Sequence, residues 1–168
     1  METLYVVDAG VLFTRWPYEH LEAHLVTTED VFDEIVNRPS RQRADILIAL
    51  DRLRVESPTS SMLREVQAKA RTTGDFHSLS RQDQGLLAVA LGYKKQGVPT
   101  VVVSTDLAVL NTAVALGLSI EDPSGRFRRH IRWRYVCPQC GHRVRAGTAP
   151  DNLSCPVCGS IMRRRAHS

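Results

Sequence analysis

The stretch that decides the fold reads LYVVD at residues 4–8, and its counterpart reads TVVVSTD at residues 100–106. Each begins with a short apolar run, and the runs lead to Asp8 and Asp106. Continuous apolar runs of this length are typical of strands buried on both faces of a parallel sheet. We therefore predict two buried parallel strands, each of which brings an acidic side chain to the edge where it ends.

Helical spacing of apolar residues marks the segments between these runs and after the second. The predicted helices cover residues 28–37, 41–53, 60–73, 80–96 and 106–116, and a last short strand covers residues 118–120. Ser80 and Asp83 form a capping pattern at the start of the fourth helix, and Gly74, Gly97 and Gly117 are placed to end the last three. Strands and helices thus alternate, which predicts an α/β fold with a parallel sheet.

The charge of the 168-residue chain changes sign near Gly125. Residues 1–125 contain 12 Lys and Arg against 17 Asp and Glu, whereas the remainder contains 10 Arg against one acid, Asp151. The two parts therefore carry net charges of about −5 and about +9, an asymmetry hidden by the overall +4. A basic appendage on an acidic body is typical of proteins that bind a polyanion, so we expect a nucleic acid as partner.

A turn-rich stretch, residues 121–125, coincides with this change of charge. Such stretches are typical of domain boundaries. We predict a larger unit at residues 1–122 and a smaller one at residues 123–168. The smaller unit is too short to build an adequate apolar core unaided.

All four cysteines lie in the smaller unit, in two copies of one motif. The motif reads CPQCG at residues 137–141 and CPVCG at residues 155–159. Two thiolates three positions apart converge on one ion if the chain turns tightly, and the following glycine permits the positive φ of that turn. We predict a zinc ribbon with one structural Zn²⁺ per chain, held by Cys137, Cys140, Cys155 and Cys158; a redox dithiol is the alternative.

Arginines and aromatic side chains surround the two cysteine motifs. This mixture is suited to contacts with phosphates and to stacking on unpaired bases, so it favours RNA. The predicted RNA contacts are Arg126, Arg128, Arg129, Arg132, Trp133, Arg134, Arg143 and Arg145. In the alternative interpretation, Trp133 and Tyr135 fill the small core of the ribbon and the arginines are only solvated.

Four acids are predicted to meet at one edge of the parallel sheet. Asp8 and Asp106 follow strands, Asp83 lies in the first turn of a helix, and Glu34 lies in the first predicted helix. In an open parallel sheet, the carboxyl ends of strands and the adjoining helix starts meet at one crevice. Carboxylates gathered there bind protons at raised pKa or share a cation, and oxygen ligands favour Mg²⁺ or Mn²⁺.

Each of the weaker assignments has a simpler alternative. Asp83 could be only the acidic half of a capping box, and Glu34 could be only a solvated helix position, in which case Asp30 replaces it. Ser104 and Thr105 either support a phosphate or a metal-bound water with their hydroxyl groups or simply finish the strand.

A hard cation in this crevice would align and activate a water against a phosphodiester. The sequence therefore predicts a metal-dependent nuclease whose basic ribbon holds the RNA. The chain contains neither a secretory leader pattern nor an apolar run that reaches membrane length, and its cysteines are accounted for by zinc. We expect no membrane association, and a reducing, cytoplasmic location.

The order of these residues resembles that of the PIN-domain nucleases, and with the four-cysteine ribbon the chain is similar to the NOB-type branch of archaea over nearly its whole length. This resemblance implies a Rossmann-like α/β/α sandwich. It also implies Mg²⁺- or Mn²⁺-dependent cleavage of single-stranded precursor ribosomal RNA, at the 3′ end of the small-subunit RNA, with the pre-ribosomal small subunit as partner. The residues that match the family's acidic quartet are Asp8, Glu34, Asp83 and Asp106, and the four cysteines match its zinc ligands.

One position departs from the family pattern. Relatives often carry a second acid directly after the last one, where this chain has Leu107, so a second metal site is expected to be weak or absent. Two rival functions remain at this point: a toxin-like PIN ribonuclease that acts on transfer or messenger RNA, and a non-catalytic RNA-binding ribosome assembly factor. Acids at all four positions disfavour the second.

Overall fold

A computed structural model describes residues 2–35, 38–147 and 152–167. One sheet is formed by β1 (Leu4–Val7), β2 (His24–Thr28), β3 (Leu53–Glu56), β4 (Thr100–Val103) and β5 (Ser119–Glu121). The helices that connect its strands are α1 (Ala9–Leu12), α2 (Trp16–Glu19), α3 (Glu29–Asp33), α4 (Arg38–Ala49), α5 (Ser60–Thr73), α6 (Arg81–Lys95) and α7 (Leu107–Ala115), with a 3₁₀ turn at Phe76–Ser78. The predicted α/β class is confirmed.

The sheet is parallel throughout and has the strand order β3-β2-β1-β4-β5. The chain winds outward from β1 to β3 and then returns to the middle, where Val6 of β1 lies between Val26 and Val102. The direction of winding therefore reverses between β1 and β4. In sheets of this kind, a crevice opens outside the carboxyl ends of the two strands that flank the reversal.

Helices cover both faces of the sheet. Val6 points into a core shared with Val66 of α5 and Leu86 of α6, whereas Val7 points into a second core shared with Val11 of α1 and Leu47 of α4. Burial of one such side chain stabilises the fold by about 1.5–3 kcal/mol. Continuous apolar runs are required here because alternate residues of one strand face two different cores. Since helices cover both faces of the sheet, the predicted α/β/α sandwich is confirmed.

Two strands, β2 and β3, were not predicted. The sequence of β2 looks polar at its end, but Thr27 and Thr28 are buried, and the Thr27 hydroxyl donates to the carbonyl of Val7 at 3.0 Å. The predicted helix at 41–53 is wrong at its end: α4 stops at Ala49, and Leu53 begins β3. The edge strand β3 has one fully buried residue, Leu53, so its apolar pattern is weak.

The ribbon forms a separate antiparallel sheet with the order β7-β6-β8, from β6 (Arg132–Val136), β7 (Arg143–Arg145) and β8 (Arg163–His167). Its core contains Tyr135, Met162 and two of the cysteines. The boundary predicted after residue 122 falls between the two sheets, and a division into two independent domains stays a prediction. Within the described residues, no helix is long and apolar enough to cross a membrane.

Candidate active site and cysteine cluster

Asp8 is fixed at the carboxyl end of β1, where it caps α1. Its Oδ1 accepts a hydrogen bond from the amide of Val11 at 2.7 Å, and its Oδ2 accepts a short hydrogen bond from the hydroxyl of Ser104. The space beside the carboxylate is narrow, because a Cβ at Gly10 would lie 3.3 Å from Asp8 Oδ1 and 3.6 Å from Thr105 Oγ1. Sequence analysis missed Gly10, which nothing but its position after Asp8 marks.

Ser104 connects the two strand ends that flank the crevice. It is fully buried, and its hydroxyl donates to Asp8 while it accepts from the amide of Asp106 at 3.0 Å. Asp106 caps α7 through Oδ1, which accepts from the amides of Ala108 at 2.7 Å and Val109 at 3.3 Å. Its Oδ2 accepts no hydrogen bond within the described residues, so this oxygen is free to face a cation.

Asp83 forms the capping box that the sequence predicted. Its Oδ2 accepts from both the amide and the hydroxyl of Ser80, at 2.9 and 2.7 Å. The capping role is therefore real, but it uses a single carboxylate oxygen. The other oxygen accepts no hydrogen bond from the part of the chain described here, so capping and metal binding are compatible.

Asp83 and Asp106 lie near enough to Asp8 for their charges to act on its carboxylate. Among the described residues, however, the cysteines and not these acids bring ligand atoms within 4.8 Å of one another. Burial raises the pKa of Asp8 above its ordinary value, and the negative charges of Asp83 and Asp106 raise it further, while the hydrogen bonds from Ser104 and Val11 lower it. A half-buried carboxylate among like charges is stabilised by a proton or by a cation. An oxygen-only donor set fits a hard divalent cation such as Mg²⁺ or Mn²⁺.

Glu34 lies apart from these contacts. It is exposed at the C-terminal end of α3, and Asp30, its substitute, is exposed in the first turn of the same helix. The amino end of α3 follows directly from Thr28 at the end of β2, and α3 packs against α6, the helix that carries Asp83. Neither acid is among the charges that act on Asp8, and the assignment of Glu34 stays a prediction.

Arg126 lies closer to the crevice than its place in the sequence suggests. Its guanidinium donates to the carbonyl of Thr105 at 2.9 Å and to the hydroxyl of Ser124 at 3.1 Å. The turn that positions it is ordered by Asp122, whose pKa is lowered despite the opposing effect of burial, because Ser124, Phe127 and Arg126 donate hydrogen bonds to it. A positive charge therefore lies beside the acidic crevice.

The four cysteines converge as predicted. Their Sγ atoms all lie within 4.8 Å of one another, with Cys137 to Cys158 at 3.4 Å and Cys140 to Cys155 at 3.5 Å. Sulfurs at the corners of a tetrahedron around zinc lie about 3.8 Å apart, given Zn–S bonds of about 2.3 Å. Hydrogen bonds from Ser160 lower the pKa of Cys158 to about 6. The arrangement fits one tetrahedral zinc ion.

The two cysteine motifs have the same backbone geometry. The amide of Gly141 donates to the carbonyl of Cys137 at 3.0 Å, and the amide of Gly159 donates to that of Cys155 at 2.9 Å. The glycines have φ of 73° and 74°. This left-handed conformation is the one for which glycine was expected, since a Cβ disfavours it.

The arginines of the ribbon line a cleft of about 530 Å³ between the ribbon sheet and the ends of α5 and α7. We call it the basic cleft; its basic lining residues are Lys69, His130, Arg132, Arg134, Arg143, Arg145 and His167. The described residues that line it include no acid. Five of the predicted RNA contacts, Trp133 and four arginines, thus line one cavity suited to phosphates, and their role stays a prediction.

Trp133 contacts the larger unit instead of extending freely into solvent. Its Nε1 donates to Asp75 at 2.9 Å, and the guanidinium of Arg164 lies 4.0 Å from its ring centre. Arg164 also donates to Asp75 at 3.2 Å and to the carbonyl of Gly74 at 2.7 Å. These contacts favour the alternative in which Trp133 is a structural residue, although one side of the ring still borders the basic cleft.

Asp75 is the centre of the contact between the two sheets. It is buried and also accepts hydrogen bonds from Thr73 and from the amide of Asn111. Asn111 in turn holds the backbone of Ile131, with bonds of 2.6 and 2.7 Å. Sequence analysis missed this network, because a single acid after Gly74 in a loop carries no spacing signal.

Comparison with protein families identifies the larger unit. A family model described as the PIN domain of ribonuclease matches residues 5–94. This range contains Asp8, Glu34 and Asp83. The parallel sheet and the crevice at its reversal point are thus those of a PIN domain.

Three relatives match almost the whole chain. Endoribonuclease Nob1 of Archaeoglobus fulgidus is 33% identical over 96% of this chain and 91% of the relative. Endoribonuclease Nob1 of Pyrococcus abyssi is 35% identical over 94% of this chain and 91% of the relative. Ribonuclease VapC1 of Thermoplasma acidophilum is 31% identical over 96% of this chain and 77% of the relative. The chain belongs to the Nob1 family of PIN-domain endoribonucleases, hydrolases that act on the phosphodiester bonds of RNA.

Proposed function

We propose that this endoribonuclease cleaves single-stranded precursor RNA of the small ribosomal subunit, near its 3′ end. The observation that carries the proposal is that the charges of Asp83 and Asp106 act on the half-buried Asp8 carboxylate at the end of β1, on a molecule that also has the basic cleft. The similarity to archaeal Nob1 enzymes along the whole chain supports the substrate.

The acids are proposed to hold one Mg²⁺ or Mn²⁺, with Glu34 or Asp30 as the fourth ligand. The ion would activate a water and neutralise charge on the phosphorus oxygens. Ser104 keeps the Asp8 carboxylate directed at the crevice through its short hydrogen bond. Leu107 offers no ligand next to Asp106, which favours one ion over two.

Arg126 is proposed to contact the phosphate at the cleavage point. Its guanidinium is held by Thr105 and Ser124 at the rim of the crevice, so little side-chain entropy is lost when it binds. An arginine donates several parallel hydrogen bonds to phosphate oxygens. The hydroxyl of Thr105, close to Asp8, is placed to support the same phosphate or its attacking water.

The smaller unit is proposed to be a zinc ribbon, residues 123–168, that positions the RNA strand on the nuclease unit, residues 1–122. One structural Zn²⁺ held by the four cysteines would stabilise the sheet that carries the arginines. Thiolate ligands are kept reduced in the cytoplasm, where assembly of the pre-ribosomal small subunit would supply the substrate.

A cleavage assay on a precursor that spans the 3′ end of the small-subunit RNA tests the proposal. We expect one cut near this end in the presence of Mn²⁺ or Mg²⁺ and none without added ion. Omission of the ion is preferable to a chelator, because a chelator would also remove zinc. Asp8→Asn should abolish cleavage. The matched control is Asp51→Asn, which should cleave normally, because Asp51 is exposed and its left-handed backbone (φ 53°) accepts Asn.

Similarity alone does not restrict the substrate, because a relative named Ribonuclease VapC1 also matches nearly the whole chain. The second candidate is therefore a toxin-like PIN ribonuclease that acts on transfer or messenger RNA. Equal amounts of precursor ribosomal RNA, transfer RNA and messenger RNA in one reaction distinguish the two. Preferential cutting of transfer or messenger RNA would overturn the ribosomal substrate.

A further inference from the structure

A groove of about 400 Å³ lies between α7 and the segment that joins the two sheets, and of the residues that line it only Arg126 has a role in the function proposed above. We call it the apolar groove; its apolar walls are Leu107, Ala108, Phe127, Ile131 and Trp133. Leu107 is 47% exposed, although it is a large apolar residue. Exposed apolar surface of this kind, enclosed by polar residues, is typical of a binding site.

The apolar groove begins at the candidate active site. Leu107 directly follows Asp106, and consecutive Cα atoms lie about 3.8 Å apart. Arg126, which also lines the groove, donates to Thr105 beside the crevice. At its other end the groove reaches Trp133, which also borders the basic cleft. A strand that passes from the basic cleft to the crevice therefore crosses the apolar groove.

The polar side chains other than arginine that line the groove are already engaged. Asn111 uses its amide group for Asp75 and Ile131, and the hydroxyl of Ser78 accepts from Arg164 at 3.1 Å. Asp75 itself accepts from several donors. These groups are not available to read the hydrogen-bonding edge of a base, so they add no base selectivity to the apolar contact.

The charges around the groove fit a nucleotide. Arg128 and Arg129 also line it, and both are exposed, with no hydrogen bond or ion pair to the described part of the chain. A flat, apolar ligand that carries negative charge at its edge would place its apolar part against Phe127 and its charge near these arginines. Nucleobases attached to a phosphate backbone have this chemistry, and stacking on aromatic residues is how proteins bind them without sequence preference.

We propose that the apolar groove binds one unpaired nucleobase of the RNA, next to the phosphate that is cut, by stacking and apolar contact with Phe127 and Leu107. The proposal rests on the proposed function in that the strand must lead to the acidic crevice. Its consequence is that the enzyme requires an unpaired base at one position beside the cut but tolerates any base there.

The test measures coupling between one base and one side chain. The affinity of single-stranded RNA of about 12 nucleotides is compared with that of a series in which one abasic residue is moved along the strand, without added Mg²⁺ or Mn²⁺. We expect loss of the base at one position to weaken binding about tenfold. Phe127→Ala should weaken binding of the intact strand similarly, and the two changes combined should cost no more than either alone.

Matched variants exclude a general loss of structure. Leu107→Ala should behave like Phe127→Ala, whereas Leu50→Ala, an exposed leucine after α4 on the opposite side of the sheet, should leave the affinity and the abasic profile unchanged. Zinc content and the thermal midpoint report whether each variant is folded.

Each outcome decides one of the two proposals. Additive losses, or an abasic series without a sensitive position, would overturn the apolar groove as a base site while cleavage of the ribosomal precursor still supports the proposed function. Binding defects confined to a protein partner of the pre-ribosomal particle would overturn it as well. If the abasic change and Phe127→Ala are coupled but the protein does not cut the precursor, the proposed substrate is overturned and the base site in the apolar groove is supported.

Discussion

The two sheets of this molecule are stabilised in different ways. The parallel sheet is covered on both faces by apolar cores that include fully buried residues from Val6 to Leu110. The antiparallel sheet has a core of only a few side chains, among which Cys137 and Cys155 are themselves metal ligands by our assignment. Burial of apolar side chains therefore stabilises the larger unit, whereas we propose that the smaller unit depends on an ion held by its cysteines.

The same division applies to function. Residues 1–125 carry a net charge of about −5 and contain the candidate metal-binding acids, whereas residues 126–168 carry about +9. Chemistry and binding are thus assigned to surfaces of opposite charge. The buried network around Asp75 connects the two units through hydrogen bonds to Trp133, Arg164 and Asn111.

Removal of a zinc ligand should have the largest effect and should be confined to the ribbon. We expect Cys155→Ser to abolish zinc binding and unfold β6 to β8, because a structural zinc site contributes about 10–16 kcal/mol. The body should keep its own unfolding transition. Zinc analysis and amide hydrogen exchange measure the two effects, with His142→Ala as the control beside the first cysteine motif. Retained zinc and protected ribbon amides in Cys155→Ser would contradict this division.

Replacement of Asp8 should have the next largest effect, and it should separate activity from stability. Asp8→Asn is expected to lower the cleavage rate at least about a thousandfold, since an active-site cation contributes several kcal/mol. RNA affinity should change little. Cleavage and filter-binding assays on the same protein measure this, with Asp51→Asn as the control. Full activity in Asp8→Asn would remove Asp8 from the site.

The same variant should be more stable than the wild-type protein when no divalent cation is added. The folded-state pKa of Asp8 is raised, so its stability contribution is most favourable when it is protonated and falls as pH rises from its ordinary value of 3.8 through the folded pKa. At neutral pH the ionised carboxylate is therefore destabilising. Asp8→Asn should raise the thermal midpoint at pH 7, by about 2–4 °C for each kcal/mol. A lowered thermal midpoint would show that the ionised Asp8 carboxylate does not destabilise the folded protein.

Loss of the network between the sheets should have an intermediate effect. Asp75→Ala removes the partner of Trp133 and Arg164 and leaves buried donors unsatisfied, which costs about 1–3 kcal/mol for each such group. We expect the ribbon to separate from the body without losing zinc, and cleavage of long RNA to fall. Limited proteolysis in the segment between β5 and β6 measures the separation. Proteolysis at the wild-type rate would show that the two units are held together elsewhere.

Loss of the Ser104 hydroxyl should have the smallest effect, visible mainly as a pH shift. The hydrogen bond from Ser104 lowers the pKa of Asp8, so Ser104→Ala should raise that pKa further. Because the ionised carboxylate is the form that binds a cation, the acidic limb of the pH–rate profile should move to higher pH. Ser57→Ala, an exposed serine, serves as the control. An unchanged profile would mean that Ser104 only finishes the strand.

Much of the secondary structure was predictable from local pattern. Helix α5 has the bounds that its apolar spacing and Gly74 predicted, and the capping box of Ser80 and Asp83 is present. Strand β2 was not predicted because two of its residues, Thr27 and Thr28, are polar and yet buried. Strand β3 was not predicted because it lies at the edge of the sheet and has a weak apolar pattern. The end of α4 was also missed, since it depends on the left-handed backbone of Asp51.

The sequence by itself determined the cysteine cluster, the charge division and the two central strands, because each depends on residues that are close along the chain or on composition. Only the tertiary structure decided that β1 and β4 flank the reversal, and hence that Asp8, Ser104 and Asp106 meet. It also decided the Asp75 network, the position of Arg126 and the apolar groove. These features depend on which strands pair and which surfaces pack, and such long-range choices leave no periodic signal in the sequence.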